Sequence, residues 1–262
     1  MTTLSKPRRW AAAAAGALLL VGCGDDDATD AADTSTTTDQ AAEPVIDPGD
    51  AGEYAPELDP ADFVDVVDNP YLPFAPGMRW VYEGEEDGET ERIEVEVLEQ
   101  TRQIEGITAT VVRDTVYVDG ELAEDTYDWY AQDKDGNVWY LGEDSHEYED
   151  GKAVNAEGSW EHGKDGALAG IVMLAHPAVG DAYRQEYYEG EAEDMGEVLE
   201  VGATKELGLG SYEDVLVTED WNPLEPDVVE EKSYAPGVGL IFEAKVAGGD
   251  GEIELIELTP AG

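Results

Sequence analysis

Few residues of this 262-residue chain have the type and spacing for nucleophilic or metal chemistry. It has one cysteine, Cys23, and three histidines, His146, His162 and His176, with no His-x-x-x-His pair among them. A zinc site would therefore have to be gathered from separate loops. No serine lies in a Gly-x-Ser-x-Gly elbow, so a hydrolase of that design is not indicated. Asp133-Lys134-Asp135-Gly136-Asn137 offers oxygens at the first, third and fifth positions of a calcium loop, with Asp144 at the twelfth. The sixth position is Val138 where such a loop needs glycine, and Trp139-Tyr140-Leu141 continues as strand, so a hairpin turn is predicted instead. Gly208-Leu209-Gly210 lacks the third glycine and the helix of a dinucleotide loop and reads as a turn. Carboxylates are too numerous for a glycosidase pair to stand out. The chain is expected to have no catalytic residue, metal ligand or cofactor; an enzymatic alternative would need convergent polar groups around one cleft, His176 among them.

Aromatic side chains suggest a different chemistry, the burial of a small ligand. In Thr126–Ala131, Tyr127 and Trp129 point one way and Tyr130 the other; in Val138–Leu141, Trp139 and Leu141 oppose Val138 and Tyr140. A flat sheet with one wet face has no use for aromatics on both faces, so the sheet is expected to curl and to offer a concave aromatic surface. The candidate ligand-binding residues are Tyr71, Trp129, Trp139, His176 and Tyr187. Aromatics at strand spacing also serve as ordinary core, and that reading stands beside the first.

The elements that would position them are strands. Ile93-Glu94-Val95-Glu96-Val97 alternates apolar and acidic residues with the period of a half-buried strand. Asp-Gly pairs at 87–88, 119–120, 135–136, 150–151 and 250–251 are predicted hairpin turns, while a sixth at 165–166 lies in a polar loop. Phe63–Val67 is predicted as a short helical turn after Pro60, and the apolar run Ala167–Ala175 as a plug at an open end of the sheet. The fold class predicted is all-β, an antiparallel meander forming a strongly curved sheet or partial barrel, with a two-layer β-sandwich as the alternative. It should occupy residues 61–262 as a single domain.

The stretch Asp68-Asn69-Pro70-Tyr71-Leu72-Pro73-Phe74-Ala75-Pro76-Gly77-Met78-Arg79-Trp80-Val81-Tyr82 excludes a helix by its prolines and should lie extended across the fold's edge before the first long strand. It resembles the opening of an uncharacterised family of exported, lipid-anchored bacterial β-proteins, over about Phe63 to Leu258. The resemblance implies a shared fold and carries over no catalytic residue. Tyr234-Ala235-Pro236-Gly237-Val238-Gly239-Leu240 is distantly similar to turns near the ends of curved-sheet periplasmic domains, some of which carry lipids.

Residues 1–22 combine a basic start (Lys6, Arg8, Arg9) with an apolar run from Trp10 to Val21, the pattern of a secretory signal. That run is shorter than the roughly 20 residues needed to span a bilayer. Leu20-Val21-Gly22-Cys23 resembles the lipobox of prokaryotic lipoproteins, which implies acylation of Cys23 and placement on the membrane, outside the cytoplasm. Residues 23–60, rich in Asp, Ala, Thr and then Pro, are expected to form a disordered acidic tether. Loss of the leader leaves eleven basic against sixty-three acidic residues. Binding to nucleic acid or to an anionic lipid surface is disfavoured by charge. The acid reads as a solvated shell suited to salt, or as cation ligands. The partners expected are the membrane, through the anchor, and a small amphiphilic ligand, with the chain monomeric. An interaction lipoprotein without a ligand is the alternative.

Overall fold

A computed structural model describes residues 54–86, 88–156 and 158–262. The signal, Cys23 and most of the tether lie outside the described residues. A 3₁₀ turn at Pro60–Asp62, capped by the Asp59 carboxylate, precedes β1 (Phe63–Val64), so the helical turn expected at 63–67 falls three residues earlier. Then come β2 (Val67–Asn69), β3 (Leu72–Phe74), β4 (Arg79–Glu86), β5 (Glu89–Ile104), β6 (Ile107–Val118), β7 (Glu121–Asp133), β8 (Val138–Glu149), β9 (Lys152–Asn155) and β10 (Trp160–Glu161). The second half holds β11 (Leu168–Met173), β12 (Ala182–Arg184), β13 (Glu186–Tyr187), β14 (Met195–Leu207), β15 (Gly210–Trp221), β16 (Val229–Ala235), β17 (Gly239–Ala247) and β18 (Gly251–Thr259).

All pairings between neighbouring strands are antiparallel, and the main sheet runs β12-β14-β15-β16-β17-β18-β4-β5-β6-β7-β8-β11-β13. Besides the short-strand neighbours β12-β14, β8-β11 and β11-β13, the path among the described residues leaves sequence order at β18 to β4, which joins the end of the chain to its first long strand. Because β12 bonds β14 while β13 bonds β11, the short run 182–187 touches both edges and nearly closes the sheet into a barrel. Closure removes the open edges that a flat sheet of this width would present.

The turns follow the dipeptides. Asp119-Gly120 and Asp150-Gly151 both hold paired positive φ values (49° and 81°, 51° and 70°), the conformation of a type I′ turn. Glu105-Gly106 does the same (46° and 89°) between β5 and β6, although it lacks the Asp that signals such a turn. Asp165-Gly166 joins β10 to β11, which pair with β8 and not with each other.

The run 167–175 is not a plug. Leu168–Met173 is a strand of the barrel wall, bonded to β8 on one side and to β13 on the other. A Cβ at Gly170 would stand 2.4 Å from the Arg184 carbonyl oxygen and from the Gln185 carbonyl carbon, so only glycine lets the closing segment approach. Gly170→Ala is expected to cost about 3 kcal/mol or more, read as a lower urea midpoint. A cost under about 1 kcal/mol would mean that 182–187 is not fixed against β11.

A candidate ligand cavity inside the barrel

Strand residues two positions apart share a face, and five pairs of them converge on one internal cavity of about 270 Å³. The pairs are Trp80 and Tyr82 of β4, Ile93 and Val95 of β5, Val112 and Asp114 of β6, Asp128 and Tyr130 of β7, and Lys232 and Tyr234 of β16. Glu243 and Ile253, opposite one another in the β17–β18 pairing, line it as well. The proline-rich stretch covers it: Leu72 and Phe74 of β3 reach the cavity, and the Pro70 carbonyl accepts from the Gly237 amide at 2.7 Å. Trp80 donates its indole N–H to the Val238 carbonyl at 2.6 Å, which holds the ring against the same turn.

The aromatic side chains form a continuous row. Phe74 meets Trp80 edge-on at 6.0 Å and Tyr130 at 4.9 Å; Tyr130 stacks on Tyr140 at 4.9 Å, and Tyr140 meets Trp160 edge-on at 5.3 Å. Register explains the stack, since Tyr130 and Tyr140 face each other across β7 and β8.

Against this apolar wall stand carboxyl groups. The Tyr140 hydroxyl lies 2.6 Å from Asp128 Oδ1 and 2.9 Å from Glu143 Oε2. A phenol has one proton to donate, so both contacts are hydrogen bonds only when one of the two carboxyls carries a proton itself. Burial pushes the Asp128 carboxyl up to about 7, with the Tyr140 hydroxyl pulling the other way. Burial, and next the charge of Asp128, raise Glu143. Asp114 rises for the same two reasons, and its Oδ1 has neither accessible surface nor a hydrogen-bond partner.

One cation faces the group. Lys232 Nζ lies 3.1 Å from Asp220 Oδ2 and 3.8 Å from both Glu230 and Glu243. Burial alone would lower the Lys232 ammonium, but Asp220, Glu243 and Glu230 together outweigh it and raise it. Its side chain keeps 22% of its surface accessible and also lines a smaller polar cavity of about 90 Å³ with Asp194, Asp220 and Asn222. Glu243, pushed up to about 7 by burial against the pull of Lys232, completes the ring. Among the described residues, no group of three or more His, Cys, Asp or Glu side chains is placed to hold a metal ion.

The five residues singled out from sequence are not brought together, and none lines this cavity. Trp129 is buried under the Arg102 guanidinium, 3.8 Å from the ring centre, in an outer groove of about 310 Å³ shared with Glu143 and Trp160. Trp139 is core: it meets Phe63 at 6.5 Å and donates to Asp133 Oδ2 at 2.9 Å. The same Asp133 accepts from Gly136 and Asn137, so the calcium-like stretch is the turn between β7 and β8. Tyr71 donates to the Asp214 carbonyl at 3.2 Å, and His176 is exposed in the loop after β11. Tyr187 packs edge-on with Tyr54 at 5.8 Å and under Arg184. Tyr54, within the stretch assigned to the tether, also donates to the Ala169 carbonyl, so contact with the barrel begins before residue 61.

Asp114, Asp128, Lys232 and Glu243 escaped the sequence reading. Their signal was a charge out of phase: Asp114 sits between Val112 and Val116, and Asp128 between Thr126 and Tyr130, at alternate positions that otherwise point inward. Sixty-three acidic residues hid it.

No protein-family model matches the chain, and no curated protein matches it. Two solved structures are similar to it. A provisionally assigned exported protein with a YmcC-like fold, from Bacteroides fragilis, aligns over 72% of this chain and 99% of its own, with 14% identity and a TM-score of 0.43. A provisionally assigned lipoprotein from Parabacteroides distasonis aligns over 75% of this chain and 100% of its own, with 11% identity and a TM-score of 0.40.

Proposed function

We propose that this protein is a non-catalytic, monomeric lipoprotein, held outside the cytoplasm through an acylated Cys23, whose barrel binds a small amphiphilic molecule in its interior. The tether and address rest on Leu20-Val21-Gly22-Cys23 and the leader before it. The observation that carries the binding reading is the cavity itself: about 270 Å³, walled by Leu72, Phe74, Trp80 and Tyr130 and furnished with a few convergent polar groups. Ligand sites have this composition, apolar walls with sparse polar anchors, and a volume near the small end of their range. The open interior favours this over an interaction lipoprotein, for which a filled barrel is expected. Nucleic acid remains an unsuitable partner for so acidic a chain.

Native mass spectrometry of the detergent-released full chain tests both parts. The expected protein begins at a diacylated Cys23 and carries a bound small molecule that is absent from Val112→Trp, in which an indole fills the cavity. An unmodified sulfur behind an intact leader would overturn the anchor. Each protein at the mass of its own acylated chain alone, with neither holding a ligand, would overturn the binding reading.

A further inference from the structure

We propose that the cavity takes a small protonated amine with an apolar body, its ammonium seated against Asp114 and Asp128, and gives up a carboxyl proton as the amine enters. This rests on the binding reading above and names the ligand's chemistry.

Three carboxyl groups line the cavity, Asp114, Asp128 and Glu243, against the single ammonium of Lys232. Lys232 is already committed to Asp220, Glu230 and Glu243, which leaves it little to offer an anion. Asp114 is the opposite case, since its buried Oδ1 accepts from nothing. An unmet acceptor without access to water is costly, and a ligand N–H is the group that would meet it. The rings of Trp80 and Tyr130 line the same cavity beside these carboxyls and add apolar surface for the body of such a ligand. The remaining walls, Leu72, Ile93, Val95 and Val112, are hydrocarbon and suit an apolar body.

The proton balance follows from the shared phenol. Tyr140 can bond both Asp128 and Glu143 only while that pair holds a proton, so one negative charge beside the cavity is offset by hydrogen. An incoming R–NH₃⁺ supplies the positive charge that the proton supplied before. No covalent bond forms: one ammonium goes in, one proton leaves to solvent, and the charge inside the barrel is unchanged.

Calorimetry of the full chain with three probes of one shape tests this: phenethylamine, neutral phenethyl alcohol and anionic 3-phenylpropionate. Phenethylamine should bind about tenfold or more tightly than the alcohol, with affinity rising between about pH 5.5 and 7.5 although the amine is charged throughout. Buffers of differing ionisation enthalpy should register about one proton released per amine near pH 6.5. Asp114→Asn should erase the preference for the amine and leave binding of the alcohol intact, a control that the barrel is still folded. Equal binding of amine and alcohol would overturn the cationic ligand while leaving a cavity for amphiphiles in place. Preference for the propionate, or an affinity indifferent to pH, would overturn it also. If no probe binds wild type, the inference fails, and the comparison with Val112→Trp decides the binding reading on its own.

Discussion

The barrel is expected to melt about 10 °C higher near pH 5 than near pH 8, the reverse of the usual behaviour of a protein rich in ion-paired carboxylates. Asp128, Glu91 and Glu243 are each pushed up to about 7 and Asp194 to about 6, in every case first by burial. In the unfolded chain these groups titrate near 4, so between about pH 4 and 7 the native state holds protons that the unfolded state has released. Stability from such groups is fully present below their unfolded values and is lost as pH rises through the folded ones. Glu161 and His162 act in the opposite direction, Glu161 through Lys164 and Arg102 against its own burial, His162 through burial of the imidazole.

Surface repulsion among the many carboxylates is relieved by acid as well, and salt separates the two effects. About 1 M NaCl shortens the screening length to ~3 Å and suppresses the surface contribution, whereas interior carboxyls keep theirs. Scanning calorimetry at several pH values in low and high salt should therefore retain most of the slope, and Asp128→Asn should reduce it by the share of that one group. A profile that becomes level in salt would mean that the interior carboxyls are solvated, and the account of a proton-sharing cavity would fall with it.

Loss of Lys232 should be the most damaging single charge change. Lys232→Met removes the one basic side chain lining the cavity and leaves Asp220, Glu230 and Glu243 facing one another. Removing one partner of a buried ionic group typically costs about 3–5 kcal/mol, because the charges left behind are uncompensated. Near pH 8 the urea midpoint should fall accordingly with little change in slope, and near pH 5 the loss should shrink because Glu243 takes up a proton. Equal losses at both pH values would show that Lys232 matters for its hydrocarbon packing and not for its charge.

Much of the strand architecture was open to reading along the chain because both signals are local. Ile93–Val97 alternates, and Asp119-Gly120 and Asp150-Gly151 adopt the positive φ that their types allow. Where those signals were absent, reading failed for identifiable reasons. Glu105-Gly106 makes the same turn without the Asp that marks it. Leu168–Met173 does not alternate, since Ala169, Gly170 and Ile171 are buried in succession, and a continuous apolar run does not distinguish a wall strand from a plug. Trp129 and Trp139 were placed in strands, but nothing local tells which surface of a closed sheet is the inner one.

By itself the amino-acid order determined an all-strand meander, the positions of most of its hairpins, the resemblance of residues 20–23 to an acylation signal, and a strongly acidic net charge. Each depends on neighbours within a few residues or on composition alone. The tertiary structure decided that the run 182–187 joins two edges of the sheet, and hence that there is an inside at all. It also decided that Asp114 and Asp128, from the first half of the chain, share that inside with Lys232 and Glu243 from the second. Whether a carboxyl is one more solvated surface charge or a buried group holding a proton depends on what surrounds it in space, and closure of the barrel sets those surroundings.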